Sequence, residues 1–164
     1  MSAVVTAAFG GPVVAELVTS LRRSDWWIDG LSLAAELDGR LVGYLLFTHA
    51  LLDAPRELVE VLVLSPLAVV PDCQGAGIGS ALVRAGLALV SSRPEPLVFL
   101  EGAPGFYPRF GFQLAAPLGF VRPSPRIPEA AFMVRTQASY ALWMTGALVY
   151  PDAFWRHDCV GLRP

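Results

Sequence analysis

Residues 64–90 read LSPLAVVPDCQGAGIGSALVRAGLALV, an apolar run that ends in a glycine-rich turn and opens directly into a helical pattern. Such a turn constrains fold and ligand together. The Gln74–Gly79 stretch carries little side-chain bulk, so successive backbone N–H groups can converge on an anion at the positive end of the helix that follows. A phosphate-bearing cofactor is the expected ligand.

Spacing separates the ways of binding phosphate. A mononucleotide P-loop needs a lysine behind its last glycine, and the chain contains no lysine. A dinucleotide fingerprint needs G-x-G-x-x-G straight after a strand, with an acidic residue about 20 positions on. Gly75, Gly77 and Ser80 give G-x-G-x-x-S, and Glu101 ends the next apolar run. Against this reading, Pro71, Asp72, Cys73 and Gln74 stand between strand and first glycine, where the dinucleotide turn is tight.

Behind Leu67-Ala68-Val69-Val70-Pro71, the sequence Gln74-Gly75-Ala76-Gly77-Ile78-Gly79 resembles the acetyl-CoA motif Q/R-x-x-G-x-G/A of the GCN5-related N-acetyltransferases (GNAT). Phe106-Tyr107-Pro108-Arg109-Phe110-Gly111-Phe112 resembles the FY-x-x-x-GF segment of the same family, in the same order along the chain. Ala7–Gly10 with Leu17–Arg23, Glu101–Phe112 and Tyr150–Phe154 extend the likeness to a bacterial branch of YhbS-like predicted acetyltransferases. The resemblance implies an α/β fold of the α+β type, a mixed and mostly antiparallel central sheet flanked by helices, with splayed central strands. It implies an acetyl-CoA-dependent N-acyltransferase that moves an acetyl group to a primary amine of a small molecule or a protein, with no metal. Leu67, Val69, Gln74, Gly75, Ala76, Gly77, Ile78, Gly79 and Ser80 are the implied donor-binding residues.

Pro66 cannot donate to a sheet ladder yet sits in an apolar run, so a bulge is expected there, an edge strand being the alternative. Under the resemblance, the break splays this strand from the next and brings the Leu67 N–H near the thioester oxygen. Such a donor contributes about 3 kcal/mol in other acyl transfers. Aminolysis also needs a neutral amine and a proton for the departing thiolate. Tyr107 falls on the family tyrosine whose hydroxyl reaches the CoA sulfur and is the implied acid. Glu101, at the end of the following strand, is the favoured base; Glu60 and His49 are the alternatives, His49 having the most suitable unperturbed pKa, and bulk water can also take the proton. Trp26 and Trp27 suit an aromatic acceptor pocket, core packing or a dimer contact. No conspicuous acidic cluster awaits a polycationic acceptor. The rival from another class is a non-catalytic acyl-CoA sensor or interaction domain.

With 164 residues, 54% of them hydrophobic, one domain spanning 1–164 can bury a core without staples. A net charge of −2 provides no basic stripe for nucleic acid. Cys73 and Cys159 lack metal-ligand spacing and read as free thiols in a reducing cytoplasm. Met1–Ala15 lacks the basic start of a signal peptide, and no uncharged run is long enough to span a bilayer. The absence of lysine and asparagine beside abundant arginine, alanine, proline and glycine reads as GC-rich bacterial coding.

Periodicity predicts a helix over Glu16–Arg23, strands over Leu31–Leu37 and Leu41–Leu52 joined by a hairpin at Asp38-Gly39, and a long strand over Leu58–Val70. A helix over Gly79–Ser91, a strand over Pro96–Leu100 and a short helix over Pro104–Phe110 follow. Arg122–Pro128, with three prolines, must be a loop, and Leu142–Tyr150 reads as a last strand. The strand that usually precedes the first helix in the family is missing, which exposes a sheet edge and favours a homodimer.

Overall fold

The computed structural model describes residues 1–161. Two helices come first, α1 (Ser2–Phe9) and α2 (Val13–Arg22). They are separate because Gly10 turns left-handed at φ 70°, its N–H closing on the Thr6 carbonyl, and Pro12 then starts the next helix. The expected single helix from Glu16 therefore begins earlier and has a partner before it. α2 buries Leu17, Val18 and Leu21 on one face and carries Glu16 in its first turn and Arg22 in its last, charges that suit the helix dipole.

The first strand, β1 (Trp27–Leu37), pairs antiparallel with β2 (Arg40–Asp53) through the expected hairpin. Both turn residues have positive φ, 51° at Asp38 and 76° at Gly39, as a two-residue hairpin matched to strand twist requires. β3 (Leu58–Val69) runs through a cis Ser65–Pro66 peptide bond and leads by the glycine-rich loop into α3 (Ile78–Val90). After it come β4 (Leu97–Glu101), β5 (Gln113–Leu114), β6 (Phe120–Val121), β7 (Phe132–Thr136), β8 (Gly146–Val149) and α4 (Asp152–Arg156). The expected helix over Pro104–Phe110 is a 3-10 turn at Tyr107–Phe110. Arg122–Pro128 is irregular, as its prolines demand. The last strand is shorter than expected, since Leu142 and Trp143 form a turn, with Met144 N–H donating to the Ala141 carbonyl, and pairing begins only at Gly146.

The strands hydrogen-bond in the order β5-β7-β4-β3-β2-β8-β6, and β1 pairs with β2 beside them. β1 occupies the Arg40–Thr48 stretch of β2 and β8 the Leu51–Asp53 stretch. Most neighbours are antiparallel; β3 with β4 and β6 with β8 are parallel. The fold is mixed α/β, a mostly antiparallel sheet with helices against it, as the sequence implied.

The chain forms two compact units. The first comprises Met1–Thr48 and Leu64–Arg93. In it α3 lies close on the hairpin, because Gly86 leaves no gap to Leu45 and Phe47, and Gly43 admits Leu82 and Ile78. A Cβ on Gly86 would approach Phe47 Cε2 to 2.6 Å, so the glycine sets this distance of approach. The second comprises His49–Val63 and, of the described residues, 94–161. Its core is aromatic: Phe99 stacks on Phe132 at 5.6 Å and meets the edge of Phe120 at 5.1 Å.

Candidate active site

The glycine-rich loop belongs to the first unit and runs from the end of β3 into the start of α3. Gly75 and Gly77 hold φ of 78° and 85°, a left-handed pair around Ala76 that side-chain-bearing residues adopt only under strain. Gly77 is the N-cap of α3, and no side chain caps that end. The amides of Ile78, Gly79 and Ser80 sit in the first turn, where helices leave donors without intrahelical partners. A Cβ at Gly75 or Gly77 would meet nothing within 4 Å, so it is the left-handed backbone and not crowding that calls for glycine here. Such a nest of N–H groups at a 13-residue helix matches a diphosphate.

Two side-chain ties fix the loop. The Gln74 amide donates to the Val69 carbonyl at 3.0 Å, folding the loop back on the end of β3. The Arg40 guanidinium grips both oxygens of Asp72, at 2.7 and 3.1 Å, and holds that carboxyl below the ordinary aspartate range. Sequence reasoning missed this tie, which joins residues 32 positions apart. Gln74, expected as a ligand residue, has its amide committed to the loop. Leu67 and Val69 lie on the stretch of β3 past its ladder with β4, which pairs Leu62 with Val98 and Val63 with Phe99.

In the second unit, Tyr107 is only 7% exposed. Its ring lies against Gly102, so close that a Cβ there would collide with Cε2 and stand 2.9 Å from Cδ2. Phe106 and Phe112 meet the ring edge-on at 5.0 and 5.9 Å. Burial pushes the phenol up to about 12, so it holds its proton at neutral pH, as an acid must. Glu101, immediately before Gly102, accepts a hydrogen bond from the Gly161 N–H at 3.3 Å. Burial raises its carboxyl above the ordinary range, against the opposing effects of that bond and of Arg126. A raised carboxylate is a better base near neutrality. Cys159 lies in its field; burial, Asp158 and Glu101 push that thiol up, away from reactivity.

The other two base candidates are elsewhere in this unit. Glu60 lies near the start of β3, and His49 Nε2 stands 3.3 Å from Glu60 Oε1 and 2.8 Å from Oε1 of Glu95, a residue sequence reasoning passed over. Glu95 and Glu101 flank β4, six positions apart, about 20 Å along an extended strand. The Glu60–His49–Glu95 group and the Glu101–Tyr107 group therefore sit at opposite ends of β4. No acidic cluster is conspicuous along the chain, but folding gathers Glu57, Glu60 and Glu95 around one cavity of about 370 Å³. Glu95 is flanked by Pro94 and Pro96 ahead of an apolar strand, a context that gives no hint of a partner 46 residues away. Trp27, at the start of β1 in the first unit, is occupied locally, with the Arg22 guanidinium 4.8 Å above its ring and its N–H on Asp29. Among the described residues no helix is long and apolar enough to cross a membrane.

The acetyltransferase (GNAT) domain family model matches residues 27–114, from β1 through the loop to Leu114. The chain is 36% identical over 153 residues to the uncharacterised N-acetyltransferase YjhQ of Escherichia coli K12, covering 91% of this chain and 84% of that one. It is 32% identical over 157 residues to the uncharacterised N-acetyltransferase YhbS of the same strain, covering 95% and 92%. Among solved structures, YhbS of Escherichia coli in complex with CoA superposes with a TM-score of 0.82 at 32% identity, covering 94% of this chain and 84% of that one. A GNAT acetyltransferase of Brucella melitensis in complex with acetyl-CoA gives 0.72 at 30% identity, covering 93% and 88%. With the loop, the α3 terminus and the sheet order already pointing the same way, the chain belongs to the GNAT family of N-acetyltransferases.

Proposed function

We propose that this enzyme transfers an acetyl group from acetyl-CoA to a primary amine of a small molecule or a protein, the two compact units working as one domain in the cytoplasm. The observation that carries the reading is the start of α3, which no side chain caps, reached through a loop that is left-handed at Gly75 and Gly77. The relatives solved with CoA and with acetyl-CoA support the choice of donor.

When bound, acetyl-CoA supplies a thioester-activated acetyl group. The amides of Gly75 to Ser80 bind the diphosphate, Gln74 keeps the loop in register through Val69, and the Leu67 and Val69 backbone orients the pantetheine arm. Tyr107 Oη donates a proton to the departing sulfur; its raised pKa keeps that proton available over the whole physiological range. Glu101 takes the proton from the attacking amine, its carboxylate tuned upward by burial.

The test is thiol release from acetyl-CoA by the purified full chain across a panel of small amines and amino-terminal peptides, alongside melting curves with acetyl-CoA, CoA, NAD and ATP. Acetyl-CoA at a hundredfold its Kd stabilises a binding protein by about 2.7 kcal/mol. The reading predicts stabilisation by acetyl-CoA and CoA, and amine-dependent turnover that Tyr107→Phe removes while CoA binding survives. Stabilisation by NAD alone would overturn it.

A further inference from the structure

We propose that His49, Glu60 and Glu95 form a binding site for a divalent transition-metal cation, zinc being the best match, separate from the acetyl-transfer machinery. His49 Nε2, one oxygen of Glu60 and one of Glu95 lie within 4.8 Å of one another. A zinc ion with ligands at 2.0–2.1 Å in tetrahedral geometry sets its ligand atoms about 3.3 Å apart. The separation to Glu60, 3.3 Å, equals that edge and the one to Glu95, 2.8 Å, falls short of it, so small rotations of the side chains make a pocket of the right size. One imidazole nitrogen and two carboxylate oxygens are a donor set suited to such ions.

Valence argues the same way. Both carboxylates converge on a single ring nitrogen, and Nε2 carries at most one proton. A divalent cation bonded to all three groups takes the place of that proton. Only 3% of the Glu95 side chain is exposed, so this ligand is buried in the fold while Glu60 faces the solvent.

The surroundings hold the ligands in place and leave room for exchange. The Pro94–Pro96 segment that presents Glu95 is strapped by three bonds: Gln137 Nε2 to the Glu95 carbonyl at 3.0 Å, Gln137 N–H to the Pro96 carbonyl at 2.8 Å and Ser139 Oγ to the Pro94 carbonyl at 2.7 Å. Supporting bonds of this kind keep ligand geometry fixed before the ion arrives. Glu60 and Glu95 also line the 370 Å³ cavity with Glu57, Ser139 and Trp143. The cavity gives the ion a path in and a place for water as its fourth ligand, the arrangement of three protein ligands and an open position. The site lies at the opposite end of β4 from Glu101, so it is independent of the assigned transfer chemistry.

The test is metal content and calorimetry on the folded full chain, stripped with chelator and dialysed against excess zinc chloride. The expected result is about one zinc per chain. Glu60→Gln, at a position 59% exposed and safe for folding, should weaken binding at least tenfold, as should His49→Gln. Cobalt should give a visible absorption band without the intense thiolate-to-metal feature, and the band should vanish with His49→Gln. Glu95→Gln should abolish binding; if that variant does not fold, the two milder variants decide. No zinc uptake by the stripped wild-type chain, or uptake unchanged by Glu60→Gln and His49→Gln, would overturn the proposal and leave His49 as a side chain held between two carboxylates.

Discussion

Gly102→Ala is a one-carbon probe of the assigned acid. Gly102 has no positive φ, so its backbone accepts alanine, and the cost arises from the neighbour. The added Cβ would collide with Tyr107 Cε2 and stand 2.9 Å from Cδ2 and 3.2 Å from Cζ. Ordinary carbon contacts begin near 3.5 Å, so the ring must move by roughly an ångström. Phe106 and Phe112 hold its other sides, and it cannot slide away freely. Overpacking of this sort costs about 1–3 kcal/mol. For a chain of this size each kcal/mol lowers Tm by about 2–4 °C. If the Tyr107 hydroxyl is the acid proposed above, displacing it by an ångström costs up to about a hundredfold in rate. Thiol release gives kcat, and melting curves give the stability cost. The discriminating measurement is the double variant: once Tyr107→Phe has removed the hydroxyl, itself costing about 10²- to 10⁴-fold, adding Gly102→Ala should lower Tm further while leaving the residual kcat nearly unchanged. A Gly102→Ala enzyme with wild-type kcat and Tm would refute the packing argument. A full additional loss of kcat in the double variant would refute the hydroxyl's role.

Gln74→Ala removes the tie to Val69 and should raise the KM for acetyl-CoA more than it lowers kcat, read from initial rates. Gly86→Ala should destabilise by more than about 1 kcal/mol in urea unfolding, because its Cβ would stand 2.6 Å from Phe47 and 2.7 Å from Leu45. Glu101 has a folded pKa raised above its unfolded value, so its ionisation penalises the fold as pH rises through the ordinary carboxylate range and on to the folded pKa. Glu101→Gln should therefore be at least as stable as wild type at neutral pH and lose the acidic limb of the rate profile. Tyr107 should withdraw stability between about pH 10 and 12, as the unfolded phenol ionises before the folded one, and Tyr107→Phe should flatten that part of the pH–stability curve.

Where local chemistry decides structure, the chain was readable. Asp38-Gly39 supplies the two positive φ angles the hairpin needs, and Gly77 with the apolar period after it sets α3 to within a residue. β5 and β6 were not readable because each is two residues long and exists through its partner, Gln113 against Val134 and Phe120 against Gly146. β7 shows no alternation, since Phe132, Met133 and Val134 are all buried. Leu142–Met144 misled in the other direction: the residues are apolar, but Leu142 is 87% exposed on a turn. The loop and Tyr107 were legible as motifs. The placement of Glu101 at one end of β4 and of Glu60 and His49 at the other was not, because it depends on how β3 pairs with β4. Nor was the approach of His49 to Glu95 across 46 positions.

The central claim, that the N–H nest at the start of α3 holds the diphosphate of acetyl-CoA, is tested most directly by following backbone amide resonances during a titration with CoA. The account predicts that the Gly75, Gly77, Gly79 and Ser80 amides shift most and saturate together with the enzyme's affinity for CoA. Saturable binding that leaves these four amides unmoved would contradict it.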